Sequence, residues 1–272
     1  MIAASPHSTP IDPASTDPMS AHPASANPAS PHSTPTGFDA VFFDVGNTLL
    51  APFPSIPHVV QEVLAEAGYA TDLSAISALM PLVDEYYEKR YQEDETFWTD
   101  DDRTVDVWVG MYSLLCKHLG IDSGSGTGHF AHRVYHEFGS GHRWRAYDDV
   151  VPALVRLRKR GMRVGLISNW DSRLSGIVAD LGLADLIDLV VSSADAGLYK
   201  PDPQIFIHAL QGLGVEACRA AHVGDHVYAD VVGARSVGML PVLIDRRRKE
   251  KAAEGVRHIH TLDELDDALG LG

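Results

Sequence analysis

The sequence FDAVFFDVGNTLL, residues 38–50, predicts a buried strand that ends at an acid. Its apolar run leads directly to Asp44, and a Gly-Asn-Thr sequence follows after one valine. A short apolar run bounded by turn-forming residues is typical of a strand inside a sheet rather than one at the surface. We therefore expect Asp44 at the carboxyl end of a strand, followed by a turn.

Strand and helix patterns alternate regularly from Tyr147 to the C-terminus. The predicted strands are MRVGLIS, LIDLVVSS, RAAHVG and LPVLID, with a predicted helix between each pair. Such repetition implies parallel strands joined by right-handed crossovers. The last segment, TLDELDDALG, is typical of a closing helix with Thr261 as its N-cap and Glu264 completing a capping box. The expected fold class is α/β, a doubly wound, Rossmann-like parallel sheet with a helical insertion.

Three regions differ in composition. Residues 55–145 contain four segments with helical spacing of apolar residues, interrupted by the flexible sequence SGSGTG at Ser123–Gly128, and predict the helical insertion. Residues 1–37 are rich in Pro, Ser and Ala and hold no aromatic residue. They predict a disordered tail, or a translation start assigned too far upstream. The core is expected over 38–54 and 146–272.

Composition argues against several classes of function. The chain has 272 residues, with 22 Lys and Arg against 37 Asp and Glu, and a formal net charge of −15. This charge disfavours nucleic acid and anionic membrane surfaces as partners, and no apolar run approaches the roughly 18 residues that span a bilayer. Two cysteines, Cys116 and Cys218, are too few for a disulfide framework, so we expect a cytoplasmic protein. A small-molecule substrate and a monomer or homodimer are expected.

Polar residues occupy the predicted carboxyl ends of the strands, where open parallel sheets bind their ligands. These residues are Asp44, Ser168, Asn169, Lys200, Asp225 and Asp230. A carboxylate can attack phosphorus, a hydroxyl with nearby N–H groups can hold the transferring oxygens, and an ammonium can offset negative charge. Asp44 and Asp225 can share a magnesium ion, which prefers carboxylate, water and substrate oxygens. The pattern favours phosphoryl chemistry with Mg²⁺.

The motifs resemble those of the haloacid dehalogenase superfamily, in the branch with a helical cap inserted after the first motif. They are DVGNTLL from Asp44, the SN of LISNW, the lysine of YKPDPQIF, and GDHVYAD from Gly224 to Asp230. They occur in the family's order, and the resemblance covers the chain from Phe38 to Gly272. It implies a hydrolase with phosphatase-like chemistry and a helical cap domain over 55–145.

The resemblance also implies a role for each matching residue. Asp44 would be the nucleophile, Lys200 would stabilise charge, and Ser168 with Asn169 would bind phosphate. Asp44, Asp225 and the main-chain carbonyl of Gly46 would bind the metal, with Asp230 in support.

The chain departs from the family pattern at Gly46. The family's phosphatases place a second aspartate at this position, which protonates the leaving group and later activates water. Such assistance is worth roughly 10² to 10⁴ in rate, or about 3 to 5 kcal/mol. A substrate with a low-pKa leaving group, such as an acyl phosphate, would need little of it. His226 and the residues of the insertion are the candidate substitutes for the missing acid.

Other interpretations of Gly46 remain open at this point. A 2-haloacid dehalogenase also lacks the second aspartate, because a departing halide needs no proton. Enzymes that cleave phosphonoacetaldehyde have a small residue there and use a cap lysine, for which Lys89 and Lys117 are the candidates. A catalytically weak binding or scaffold protein is the third alternative.

Three further patterns have a structural interpretation and a functional alternative. His129, His132 and His136 share one face of a predicted helix and are interpreted as solvent-facing, with zinc binding as the alternative. Arg143–Arg145 is interpreted as a hinge or packing segment, with contact to a substrate anion as the alternative. The basic run Arg246–Lys249 is interpreted as a solvated loop.

Overall fold

The computed structural model describes residues 37–121, 127–248 and 255–272, which all belong to one compact unit, Pro35–Gly272. The tail predicted over 1–37 lies outside the described residues, except for Gly37. Most of the SGSGTG sequence and Lys249 also lie outside them.

A parallel sheet forms the centre of the fold. The strands in the described residues are β1 (Ala40–Phe43), β2 (Leu50–Pro52), β3 (Trp144–Ala146), β4 (Arg163–Ser168), β5 (Leu189–Ser192), β6 (Ala220–Gly224), β7 (Leu240–Ile244) and β8 (Arg257–Ile259). Six of them form one parallel sheet in the order β5-β4-β1-β6-β7-β8. β1 therefore lies between β4 and β6, and the predicted parallel sheet is confirmed.

Helices cover both faces of this sheet. The helices in the described residues are α1 (Ile56–Glu66), α2 (Leu73–Ala78), α3 (Met80–Glu93), α4 (Asp101–His118), α5 (Thr127–Glu137), α6 (Val150–Lys159), α7 (Leu174–Asp180), α8 (Ser193–Ala196), α9 (Pro203–Leu213), α10 (Gly233–Ser236) and α11 (Leu265–Leu269). Val41 and Phe43 of β1 pack with α6, α7 and α11, whereas Ala40 and Phe42 pack with α9 and α10. Side chains alternate across a strand, so a strand buried on both faces needs a continuous apolar run.

Helices α1 to α5, the helical insertion, lie between β2 and β3 in the chain and share an apolar cluster of their own. β2 and β3 form an antiparallel pair in which Leu50 lies opposite Ala146 and Pro52 opposite Trp144. The chain therefore leaves the core and returns to it side by side. The helical character predicted for this region is confirmed, and the domain boundaries at 54/55 and 145/146 stay a prediction.

Hydrogen bonds join the helical insertion to the carboxyl edge of the sheet. Ser172, which follows β4, donates from its N–H and its Oγ to the carboxylate of Asp101 at 2.9 and 2.5 Å. Ser193, which follows β5, donates from Oγ to the main-chain oxygen of Trp98 at 2.8 Å. These contacts hold the start of α4 at the ends of two strands of the sheet.

Some local features differ from the sequence-based expectation. The helix expected after Asp225 is a π-helical turn, Val227–Val232, followed by the short α10. β8 has only three residues and two of them are polar, so the sequence pattern did not predict it. The capping box at Thr261 and Glu264 is confirmed. None of the helices that the structure describes combines the length and the apolar character needed to cross a membrane.

Candidate active site

Three neighbouring strands bring the predicted residues to one edge of the sheet. Asp44 follows β1, Ser168 ends β4, and Asp225 follows β6. The strands are in register at this edge, because Phe43 lies opposite both Leu166 and Val223. Parallel neighbours with matched ends place their last side chains close together. The predicted convergence of these chain segments is therefore seen in the structure.

Lys200 lies at the centre of this group. Its side chain is 2% exposed, and its Nζ donates to Oδ1 of Asp44 and to Oδ1 of Asp230, each at 2.6 Å. Ser168 donates from Oγ to the same Oδ1 of Asp44 at 3.0 Å. Both hydrogen bonds to Asp44 end on one oxygen, so they fix the carboxylate and leave Oδ2 as the oxygen to present to a substrate.

The charges in this buried network stabilise one another. Burial alone would lower the pKa of Lys200, but the carboxylates of Asp230 and Asp44 raise it overall. Burial alone would raise the pKa of Asp230, but Lys200 and His222 hold it well below its ordinary value. The ammonium and the Asp230 carboxylate are therefore both ionised at neutral pH.

Asp230 is fixed from several sides. Its Oδ1 lies 2.8 Å from Nε2 of His222, and its Oδ2 accepts the main-chain N–H of His226 at 3.0 Å. Gly224 makes room for it, because a Cβ on residue 224 would lie 2.1 Å from Cγ of Asp230. The arrangement orients Asp230 toward Lys200, and the supporting role of Asp230 stays a prediction.

Asn169 contacts the main chain of Lys200. Its Oδ1 accepts the N–H of Lys200 at 2.7 Å, and its Nδ2 donates to the carbonyl of Lys200 at 3.0 Å. Both ends of the side-chain amide are thus used to position the lysine. Phosphate binding by Asn169 would therefore use its main-chain N–H. This role stays a prediction.

Three carboxylates surround the space next to Lys200. Asp44, Asp225 and Asp230 each offer an oxygen within 4.8 Å of the others. Burial, and then the charges of Asp44 and Asp230, raise the pKa of Asp225 to about 8. With all three carboxylates ionised and Lys200 protonated, two negative charges are left uncompensated. Oxygen ligands with this charge fit Mg²⁺, and a cation would replace the proton on Asp225.

Residue 46 faces an indole ring. A Cβ built on Gly46 would lie 3.6 Å from Cζ3 of Trp170, an ordinary van der Waals distance. Trp170 packs in turn on Trp144, with ring centroids 4.7 Å apart. A Cβ therefore fits at residue 46 without a steric clash. The side chain of any larger residue at this position would start next to the apolar ring of Trp170.

The helical insertion supplies aromatic residues that the sequence reasoning missed. Burial of the Tyr87 hydroxyl raises its pKa, and the charges of Asp44 and Asp225 add to this effect. Tyr91 lies beside His226, with ring centroids 6.3 Å apart, and its hydroxyl is buried without a partner among the described residues. Two tyrosines four residues apart on a helix are typical of an ordinary packing stripe, so no sequence signal marked them.

The structure also tests two of the other interpretations. His129, His132 and His136 are exposed, which confirms their interpretation as solvent-facing residues. Arg143 lies 2.5 Å from a carboxylate oxygen of Glu62 and 2.6 Å from one of Glu137, so it packs α1 against α5. The packing interpretation of Arg143 is therefore confirmed.

The interpretation of the basic run as a solvated loop is wrong for Arg246. Its side chain is 10% exposed, and it donates to both carboxylate oxygens of Asp149 at 2.9 and 3.0 Å. It also donates to the main-chain oxygen of Thr48 at 2.9 Å and lies over the ring of Tyr147. Charge alone did not reveal that these partners, which are distant in sequence, would converge. Arg246 thus fixes the turn that follows Asp44.

Comparisons with known proteins show the family to which this chain belongs. A model of the haloacid dehalogenase-like hydrolase family matches residues 38–238. The haloacid dehalogenase-like hydrolase domain-containing protein 3 of Homo sapiens is 39% identical over 204 residues, which cover 74% of this chain and 80% of that protein. The glyceraldehyde 3-phosphate phosphatase of Methanopyrus kandleri is 30% identical over 219 residues, which cover 76% of this chain and 84% of that protein.

A solved structure shares the fold as well. The 2-haloacid dehalogenase of Pseudomonas syringae pv. Tomato DC3000 is 26% identical, with a TM-score of 0.60, over 86% of this chain and 99% of that one. The family match spans well over half of this chain and includes every residue of the buried network. The chain therefore belongs to the haloacid dehalogenase-like hydrolases, as its motifs predict.

Proposed function

We propose that this protein is a Mg²⁺-dependent phosphatase that hydrolyses a small phosphorylated metabolite through a phosphoaspartyl intermediate at Asp44. The observation that carries the proposal is the group of three carboxylates around one buried ammonium. Once Asp225 is ionised, two negative charges in this group are uncompensated and favour a divalent cation, and a cation beside a nucleophile favours an anionic substrate. Similarity to a glyceraldehyde 3-phosphate phosphatase supports a phosphorylated substrate. The scarcity of cysteine supports a cytoplasmic location.

Asp44, Asp225 and the carbonyl of Gly46 are the groups that would hold Mg²⁺. When bound, the ion supplies positive charge that offsets the repulsion between the nucleophile and the phosphoryl group. Lys200 contributes to the same end through its contact with Oδ1 of Asp44, and Ser168 keeps that carboxylate in place. Fixed charges in a buried site act strongly because little solvent has to reorganise around them.

The reaction has two steps at Asp44. First, Oδ2 of Asp44 bonds to phosphorus while the bond from phosphorus to the leaving oxygen breaks, and the electron pair stays on that oxygen. Water then attacks the phosphorus of the phosphoaspartyl group, and the bond from phosphorus to Oδ2 breaks. This releases inorganic phosphate and restores the carboxylate.

Gly46 limits the leaving groups that this site handles well. No carboxyl group stands at residue 46, and the ring of Trp170 borders its position. The leaving oxygen therefore departs as an anion or takes a proton from water. We infer that substrates with low-pKa leaving groups, such as acyl phosphates, react faster than alkyl phosphates.

The helical insertion over 55–145 serves in this proposal as a cap on the core of 38–54 and 146–272. The contacts of Ser172 with Asp101 and of Ser193 with Trp98 support this role, because they lie at the same edge of the sheet as Asp44. Residues of the cap then select the substrate. Tyr91 is the first candidate, because its ring lies beside His226 and its hydroxyl is buried with no hydrogen-bond partner among the described residues.

Metal-independent dehalogenation of a 2-halo acid is the second candidate. Gly46 favours it, because a halide leaves without a proton, and so does the similarity to a 2-haloacid dehalogenase. In that reaction Asp44 would bond to the carbon that carries the halogen, and the halide would leave with the electron pair. Water would then hydrolyse the ester. The two candidates differ in their need for a metal.

The test compares both reactions on one preparation of folded protein. Release of phosphate from acetyl phosphate is measured with Mg²⁺ and with EDTA, and release of chloride from 2-chloropropionate is measured with EDTA. We expect Mg²⁺-dependent phosphate release that Asp44→Asn abolishes and that Asp148→Asn, whose side chain is 98% exposed, leaves unchanged. Chloride release without metal would favour the dehalogenase. Absence of both activities would contradict both candidates and favour a binding or scaffold protein.

A further inference from the structure

Three residues outside the candidate active site bring metal-binding groups together at the ends of β7 and β8. Asp245 follows β7, and His258 and His260 lie two residues apart on and just after β8. Ile244 lies opposite Ile259, and the N–H of Asp245 donates to the carbonyl of Ile259 at 2.8 Å. Strand alternation puts the two histidines on the same face. The three side chains each offer a ligand atom within 4.8 Å of the others.

A hydrogen bond to the main chain fixes the orientation of the His260 ring and the tautomer of its neutral form. Its Nδ1 lies 3.0 Å from the main-chain oxygen of Asp245. A carbonyl oxygen only accepts hydrogen bonds, so Nδ1 carries a proton, and in the neutral ring the lone pair is then on Nε2, where a metal can bind. Metal-binding histidines usually donate their second N–H in this way, which fixes the orientation of the ring.

His258 has a buried nitrogen without a hydrogen bond. Its Nε2 has no hydrogen-bond partner among the described residues, and a charged group, Oδ2 of Asp245, lies 3.8 Å from it. That distance is too long for a hydrogen bond. It is close to the separation of about 3.3 Å between two ligands of a tetrahedral zinc ion with bonds of about 2.0 to 2.1 Å. The side chains of His258 and Asp245 are only 13% and 5% exposed.

We propose that Asp245, His258 and His260 form a site for a transition-metal cation, with Zn²⁺ as the ion of first choice. Two imidazole nitrogens and one carboxylate suit zinc and its neighbours, whereas Mg²⁺ and Ca²⁺ require oxygen ligands. Three protein ligands leave a fourth position for water. The bound ion joins β8 to the end of β7. This site is independent of the proposed phosphatase activity.

The test uses the full-length protein, without a polyhistidine tag, in excess Mg²⁺ so that the acidic site is occupied. Zinc affinity is measured by competition with a chromophoric chelator, and zinc content by mass spectrometry after dialysis. We expect one tightly bound zinc per chain and a higher Tm with zinc than with EDTA. Replacement of one ligand, in His258→Gln or His260→Gln, is expected to lower the affinity at least about tenfold.

The double variant His132→Gln/His136→Gln is the matched control. These histidines are exposed and one helical turn apart, so they represent adventitious surface binding. We expect the control to keep wild-type affinity. Circular dichroism of each variant in EDTA shows whether it is folded, and the half-buried His260 is the safer site to change if His258→Gln does not fold. Absence of tight binding by the wild-type protein, or equal affinity in folded His260→Gln, would overturn the proposal.

Discussion

Gly46→Asp restores the carboxyl group that the family's phosphatases carry two residues after the nucleophile. The structure accommodates the first atom of this side chain, because a Cβ on residue 46 would meet Trp170 at 3.6 Å. The backbone of residue 46 is not among those with positive φ, so an L side chain causes no backbone strain there. We expect the variant to fold and to bind Mg²⁺.

The expected gain depends on the leaving group. For an alkyl phosphate the new acid supplies the missing proton, which is worth roughly 10² to 10⁴ in rate, or about 3 to 5 kcal/mol in the barrier. For acetyl phosphate the leaving group is a carboxylate, so we expect about tenfold or less. The assay measures kcat/KM at saturating Mg²⁺ for a series of phosphates and plots its logarithm against the pKa of the leaving group.

Gly46→Asn is the matched control, because it has nearly the same shape and no acidic proton. We expect the slope of the plot to become shallower in Gly46→Asp and to stay as in the wild type in Gly46→Asn. Equal gains for alkyl and acyl phosphates would refute the reasoning about the leaving group. So would an identical response of the two variants, provided that both bind Mg²⁺.

Three other variants test the network and its surroundings by urea unfolding. Lys200→Met leaves two buried carboxylates without their ammonium, so we expect a loss of about 3 to 5 kcal/mol in the free energy of unfolding, and no turnover. Gly224→Ala places a Cβ 2.1 Å from Cγ of Asp230, so we expect a loss of roughly 1 to 3 kcal/mol and reduced activity. Burial would raise the pKa of Asp149, but Arg246 holds it below its ordinary value. The contribution of the Asp149 carboxylate to stability is therefore complete above about pH 4 and is lost as the pH falls further. In Asp149→Asn the free energy of unfolding should depend less on pH below about pH 4 than in the wild type.

Exposed or uncrowded positions provide the controls for these variants. Lys89→Met changes a side chain that is 74% exposed, and Asp148→Asn one that is 98% exposed, so neither should alter stability by more than about 0.5 kcal/mol. Gly176→Ala adds a Cβ with no atom within 4 Å. If Gly224→Ala were as stable and as active as Gly176→Ala, the crowding argument would be wrong. Equal acid sensitivity of Asp149→Asn and wild type would contradict the assigned pKa.

Much of the fold and of the candidate site was predictable because β1 and its neighbours combine two simple signals. An apolar run long enough to be buried on both faces ends at a polar residue, as at Asp44 and Ser168. Parallel strands then bring such ends to one edge. The polar residues at those ends were therefore recognisable without knowledge of any contact.

The remaining features depend on contacts between distant segments. Asn169 directly follows a strand end, which is the position typical of a ligand-binding residue. Its side chain instead forms hydrogen bonds with the main chain of Lys200, a contact that only the folded structure reveals. Arg246 lies in a basic run. It is buried because it forms an ion pair with Asp149, which is distant from it in sequence. Tyr91 has the spacing of a packing residue. Local pattern carries no information about such partners.

A crystal structure grown with Mg²⁺ and beryllofluoride, which mimics a phosphoryl group on a carboxylate, would test the proposed chemistry most directly. We predict the beryllium bonded to a carboxylate oxygen of Asp44, with Mg²⁺ bound by Asp44 and Asp225 and with Lys200 still in contact with Asp44. Beryllofluoride bound away from Asp44, or a magnesium ion that contacts neither aspartate, would contradict it.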